Sequence, residues 1–157
     1  LVVEVTDSTG QPLPGEIVKF SGAGLEFSSD EVTTGSNGQA SVTATPKHIG
    51  SLTASAAVNG VTTPAAFALT ATKAELTVAA VNESVAYQQP IPALTYTITG
   101  FVNGDTQSVV TGSPTETTTA TDGSAPGTYP ITIGLGSLAA TNYRFTFENG
   151  TLTITAP

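Results

Sequence analysis

The sequence predicts an all-β protein of two successive modules, on three observations. Threonine is the most frequent residue and alternates with Val, Ile, Leu and Phe in short runs, a pattern that suits pleated strands with one wet face. Asn-Gly pairs fall between such runs at 37–38, 59–60 and 149–150, where turns are expected. At Thr70-Ala71-Thr72-Lys73 one strand pattern gives way to the next almost without a loop. That divides the chain into residues 1–72 and 73–157, each long enough for a small β-domain.

Leu1 to Thr6 begins inside a strand pattern, so the molecule is expected to be a length cut from a string of β-modules. Asp7 to Gly15 is dense in turn formers, and Ile17-Val18-Lys19-Phe20 follows as a strand. At Asn37-Gly38 a three-residue loop with Gly38 left-handed would pair Val32 with Val42 and keep the apolar set on one face. A two-residue turn at Asn59-Gly60 would set Val58 against Val61, Ala56 against Thr63, Ala54 against Ala65 and Leu52 against Phe67. Pro64 would then interrupt the ladder or lie on an edge. About six strands result before Thr72, at the spacing of a sandwich.

The second module opens with Glu75 to Val81 and runs through Leu94–Thr99, Thr115–Thr119 and Thr128–Ile133. Its last hairpin, turning at Asn149-Gly150, would oppose Phe147 to Leu152 and Phe145 to Ile154. One short helix is expected over Thr106–Val110, capped by Asp105 and stopped by Gly112-Ser113-Pro114.

Charge narrows the function classes. Only 10% of the residues are charged, against roughly 25% in an average soluble protein, and the net charge is -8 with no basic run. A surface of hydroxyls with scattered acids offers nothing to neutralise phosphates or dock on anionic lipid, which argues against nucleic-acid and membrane partners. No apolar run reaches the roughly 18 residues of a spanning helix. Without cysteine there is no disulfide framework or thiolate metal site.

Longer strings carry a resemblance. Val3-Glu4-Val5-Thr6-Asp7, Gly10-Gln11-Pro12-Leu13-Pro14-Gly15, Val18-Lys19-Phe20, Thr34-Gly35-Ser36-Asn37-Gly38-Gln39-Ala40 and Gly50-Ser51-Leu52-Thr53-Ala54 resemble the bacterial Ig-like domains of the invasin and intimin type. In the second half, Leu94 to Asp105, Gly127-Thr128-Tyr129-Pro130-Ile131, and Asn142 to Ile154 look like the MBG domain of bacterial surface proteins. Two departures stand out. Tyr87 is followed by Gln88-Gln89-Pro90, where such MBG domains carry Tyr-Gly, and the Ig-like module lacks the strand that generally precedes the segment matching Leu1–Thr6. The resemblance implies an extracellular, multi-domain surface protein whose modules act as spacers or display adhesive tips.

Candidate chemistry is sparse. His48 is the only histidine, so any Ser-His-Asp arrangement must use it, and it lies in an interstrand connection without a nucleophile motif. Asp30, Glu31, Asp7 and Glu26 could meet calcium, although no Asp-x-Asp-x-Asp spacing is present. Lys19 and Lys73 could form isopeptide bonds only if buried beside a carboxylic acid, and Lys19 alternates out of phase with Val18 and Phe20. The Thr-x-Thr runs at 95–99 and 151–155 resemble ice-binding ladders but lie in short strands expected to twist. Tyr87 and Tyr129, beside turn-forming prolines, are the candidates for rings exposed to a ligand.

The sequence therefore points to an Ig-like β-sandwich (1–72) in tandem with a small β-rich module (73–157), Ig-like or β-grasp-like, carrying one short helix. The expected role is non-enzymatic: a stalk, spacer or filament segment at the cell surface, with no cofactor. The alternative is a glycan- or protein-binding adhesion module. Expected partners are neighbouring modules of the same chain or identical subunits head to tail. The edge at Val2, Val3, Glu4 and Val5 would allow strand complementation.

Overall fold

Alternation sets the first half of the fold, as the computed structural model, which describes residues 1–157, makes explicit. In Ile17–Ser21 (β2), Val18 and Phe20 are buried while Ile17, Lys19 and Ser21 face water. In Gly50–Val58 (β7), Leu52, Ala54 and Ala56 turn inward in the same way. These two strands pair antiparallel at the centre of a four-stranded sheet, flanked by Glu31–Thr33 (β4) and Ala65–Ala71 (β8). Two short antiparallel ladders complete the unit. Val2–Glu4 (β1) pairs with Gln39–Ser41 (β5), and Leu25–Phe27 (β3) pairs with Ala44–Pro46 (β6). Val18, Phe20 and Ala56 of the large sheet share one core with Ala40 and Val42, and Leu1, Val3 and Val5 pack against it. Burying each large apolar side chain contributes about 1.5–3 kcal/mol, so this cluster decides which strand faces turn inward.

The second unit is also a pair of sheets. Ala74–Ala80 (β9) lies between Tyr96–Thr99 (β11) and Tyr143–Glu148 (β14). The other sheet runs Glu83–Ala86 (β10), Gly150–Thr155 (β15), Gly127–Gly134 (β13), Thr115–Thr118 (β12). Val78, Ile131 and Leu152 are fully buried, with Ile133 and Ile154 nearly so. The first strand β9 pairs parallel with β14, from Ala74 opposite Tyr143 to Ala79 opposite Glu148. The last strand β15 pairs parallel with β10, from Leu152 opposite Glu83 to Thr155 opposite Ala86. Contacts between residues divide the chain into Leu1–Thr72 and Lys73–Pro157.

Several expectations need correction. Asn149-Gly150 does not close a hairpin: β14 and β15 belong to different sheets. Gly150 does not take the positive φ that a type I′ turn needs, is buried, and sits where a Cβ would come within 3.0 Å of the Ala80 carbonyl oxygen. Asn149 serves the crossing by accepting the Ile133 N–H through Oδ1 at 3.1 Å. The Asn59-Gly60 ladder is shifted by two residues, with Ala56 opposite Ala65, Ala54 opposite Phe67 and Leu52 opposite Leu69. That shift leaves Pro64 outside the ladder, where its missing donor does no harm, and keeps every side chain on its expected face.

Gly38 is left-handed, with φ +72°, yet β4 and β5 pair with β2 and β1 and not with each other, so Val32 does not meet Val42. Eight strands, not six, precede Thr72. The expected helix is a 3-10 turn over Gln107–Val109, whose cap is the Thr106 hydroxyl accepting from Ser108 N–H. Asp105 is instead held by the Tyr143 hydroxyl at 2.7 Å. Two facing sheets and no α-helix leave nothing to support the β-grasp alternative.

Candidate functional site

Strand β1 carries the feature least satisfied by the rest of its unit. Leu1 and Val42 exchange backbone hydrogen bonds, at 2.7 and 3.0 Å, and the Val5 N–H donates to Gly38 O at 2.8 Å. In antiparallel geometry the intervening residues point the other way. Val2, opposite Ser41, and Glu4, opposite Gln39, therefore direct N–H and C=O away from β5. Thr6 does the same, because its bridge to Pro12 is flanked by the bonds Leu13 N–H to Val5 O and Asp7 N–H to Gln11 O. A groove of about 240 Å³ runs beside Val3–Thr6. Buried Val18 and Ala56 and half-buried Val58 line it from the core, and Val61, Thr63 and Ala65 line it near the start of β8. Val61 is 56% exposed. This volume falls below the roughly 300–1,000 Å³ of a small-molecule pocket.

The aromatic candidates are placed differently from expectation. Tyr87 and Tyr129 are both half-buried and pack against the cluster of Ala120, Ile131, Leu152 and Ile154. The Tyr129 hydroxyl is engaged by the Ala125 carbonyl at 2.9 Å. Neither ring stands free as a stacking platform. Beside Tyr87, Gln88 takes φ +62°, the left-handed conformation.

The titratable residues are dispersed. Lys19 lies opposite Glu31 and pairs with it at 2.9 Å in solvent, Lys47 pairs with Glu26, and Arg144 pairs with Glu75 at 2.9 Å. The Asp7 carboxyl is held below its usual range, first by the Thr9 hydroxyl and then by the backbone N–H groups of Gln11 and Thr9. Lys73 is exposed and reaches the Ala140 carbonyl at 3.4 Å. His48 is exposed, its Nδ1 3.2 Å from Ile49 O. The groups named for calcium, isopeptide and triad chemistry are thus not brought together.

Two features escaped sequence reading. Glu116 points inward from the edge strand β12, with Oε1 buried and unpaired. Burial, and secondarily the Glu83 charge, raises its carboxyl pKa. It shares parity with buried Ala120, which was the available signal, and an inward charge on an edge strand disfavours pairing with a further strand there. The groove wall at Val61 to Ala65 was hidden by the expected hairpin, which assigned those residues to a ladder.

Comparison with known proteins agrees with these two units. The bacterial Ig-like domain (group 1) matches residues 1–72, and the MBG domain (YGX type) matches residues 76–153. Neither is an enzyme family. No curated protein matches. Among solved structures, invasin, a bacterial integrin-binding protein, is similar over 99% of this chain at 20% identity and a TM-score of 0.51. The chain spans 35% of that structure. The D0-D1 domains of intimin align over 98% of this chain and 88% of their own, at 17% identity and a TM-score of 0.40. The invasin likeness is one of fold, an all-β Ig-like architecture.

Proposed function

The chain is a group 1 bacterial Ig-like domain followed by an MBG domain of the YGX type, and from that premise we propose that it serves as a load-bearing spacer in an adhesin-like protein on the bacterial surface. The observation that carries the reading is the strand order of the MBG unit. Its first strand, β9, is parallel to β14, and its last strand, β15, is parallel to β10. Tension applied through the two ends of the unit draws β9 along its own axis against β14, and β15 against β10. The cross-strand bonds of each pair are then loaded together in shear, whereas an antiparallel hairpin pulled at its open end yields one bond at a time. Resistance to force is set by the unfolding barrier, which this arrangement raises.

The role is geometric and needs no cofactor. Only two residues, Thr72 and Lys73, separate β8 from β9, so little free chain is available to extend under load. Partners on this reading are proteins, beginning with the neighbouring modules of the same surface polypeptide. The glycan-binding alternative gains no support from Tyr87 and Tyr129, whose rings pack on the core.

The test is antibody labelling of cells that make the native protein, with and without permeabilisation, together with in-frame deletion of residues 1–157. Labelling of intact cells is expected, and the deletion should shorten the reach of the surface protein while leaving attachment by its remaining modules. Labelling only after permeabilisation, or loss of attachment with reach unchanged, would contradict a spacer.

A further inference from the structure

We infer that Asn59 is a site of covalent self-modification, at which the Gly60 backbone nitrogen and water exchange the side-chain amide for a carboxylate. Four Asn-Gly pairs occur, at 37–38, 59–60, 103–104 and 149–150, and asparagine is among the less durable side chains. The reaction requires a glycine N–H free of other partners and an asparagine side chain able to swing Cγ onto that nitrogen. Rate depends steeply on reaching such a near-attack geometry. Glycine favours it because no Cβ obstructs the approach.

The fold withholds these conditions from three of the pairs. Asn37 is held twice by Gln39, its Oδ1 accepting the backbone N–H and its Nδ2 donating to Oε1, both at 3.1 Å. The Gly38 N–H is donated to Gly35 O at 2.9 Å. Asn149 accepts the Ile133 N–H at 3.1 Å, and Gly150 is buried in the ladder opposite Ile131. Asn103 is left-handed, with φ +56°, in a turn closed by Asp105 N–H to Val102 O at 3.0 Å. The Tyr143 hydroxyl clamps that turn on both flanks, at Val102 and Asp105. Asn59 differs on every count. It is exposed, its side chain has no hydrogen-bond partner, and neither has the Gly60 N–H. A Cβ placed at Gly60 would meet nothing within 4 Å, and one bond, Val61 N–H to Val58 O at 3.2 Å, spans the turn.

Hydroxide takes the Gly60 amide proton, and the nitrogen attacks Asn59 Cγ to close a succinimide ring. The Cγ–Nδ2 bond breaks, and Nδ2 leaves as ammonia with a proton from water, which restores the hydroxide. Water then opens the ring at either carbonyl. Breaking the N–Cγ bond leaves an aspartate, and breaking the bond to the backbone carbonyl carbon leaves an isoaspartate whose main chain runs through Cγ. One water is consumed and one ammonia released, with no change in oxidation state. The new charge falls on the groove of about 480 Å³ that Asn59 lines with Ile17, Lys19, Glu31, Ala57 and Val58. Lys19 and Glu31 cancel there, so the added carboxylate makes the lining net acidic. The β7–β8 ladder ends at Ala56 opposite Ala65, so the turn can take up the extra main-chain methylene without breaking a pair.

The test ages the full 157-residue chain in warm, mildly alkaline buffer, maps its peptides by mass spectrometry and separates aspartate from isoaspartate by chromatography. A parallel sample is kept unfolded in guanidinium chloride. In the folded chain, conversion at Asn59 is expected to run at least about tenfold faster than at Asn37, Asn103 or Asn149, a barrier difference of about 1.4 kcal/mol or more. Both products should be present, and in the unfolded sample the four rates should draw together. Asn59→Gln, whose extra methylene disfavours the ring, should lose the acidic shift on isoelectric focusing. Comparable conversion at any of the other three sites in the folded chain, an unchanged Asn59, or the same preference after unfolding would overturn the inference.

Discussion

The Tyr143 hydroxyl donates to Asp105 Oδ2 at 2.7 Å and accepts the Val102 N–H at 3.1 Å, pinning the loop after β11 to strand β14. The ring is 2% exposed and meets Phe101 edge-on, with centroids 5.9 Å apart. Burial first, and then the Asp105 contact, raises the phenol's pKa, partly opposed by the Val102 bond.

Tyr143→Phe keeps the ring and strands both partners, so a loss of about 1–3 kcal/mol is expected, measured by urea unfolding. Because the neutral phenol is favoured in the folded state, its contribution is full below the unfolded value of about 10 and lost as pH rises through the higher folded one. The variant should therefore lose less stability at alkaline pH than the native chain. Matching alkaline profiles would contradict this.

Gln88 holds a left-handed conformation at the residue after Tyr87, one that glycine adopts without steric cost. A non-glycine residue there costs roughly 1–2 kcal/mol, offset in part by glycine's larger unfolded-state entropy. Gln88→Gly is expected to stabilise the chain by roughly 0.5–1 kcal/mol. A lower midpoint in thermal or denaturant unfolding would run against the assignment.

Glu116 should make stability fall as pH rises from the unfolded value of about 4.3 through its raised folded value, since the folded state binds the proton more tightly. Glu116→Gln removes the charge at nearly the same volume. A gain on the order of 1 kcal/mol is expected at neutral pH, shrinking toward zero in acid. Unfolding curves of the two proteins across that range decide it, and a constant difference would contradict the titration.

Gly38 and Gly60 separate two costs. Both are left-handed, at φ +72° and +84°, but an alanine Cβ at 38 would meet Val5 O at 2.7 Å, whereas at 60 it meets open space. Gly60→Ala should lose about 1–2 kcal/mol and Gly38→Ala distinctly more. Equal losses would mean that the turn at Gly38 can move away from β1.

Side-chain periodicity made the faces legible, and pairing partners were the part it could not supply. Val18 and Phe20, or Leu52, Ala54 and Ala56, declare a buried face through period-two alternation whatever strand lies beside them. Phe145 and Phe147 satisfy the same pattern whether they oppose Leu152 and Ile154 in a hairpin or pair with β9 in the other sheet. Only the backbone at Gly150, crowded by Ala80, decides between these. The Asn59-Gly60 register failed for a related reason: a shift of two residues leaves every face unchanged, so periodicity is blind to it.

The edge at Val2–Val5 was legible as a strand with an unpaired side, while the far wall of its groove depended on where Val61 and Ala65 came to lie. Tyr87 and Tyr129 misled because a neighbouring proline marks a turn in the backbone and says nothing about which way the ring packs.

Single-molecule force spectroscopy tests the load-bearing claim most directly, by pulling the chain end to end and, separately, through cysteines placed at Thr115 and Leu135, beside the open end of the β12–β13 pair. End-to-end pulling is expected to give separate unfolding steps for residues 1–72 and 73–157. The MBG step should need clearly more force than peeling β12 from β13, because β9–β14 and β10–β15 resist in shear. An MBG unit that yields end to end at the same force as the peeled pair, or lower, would contradict the account.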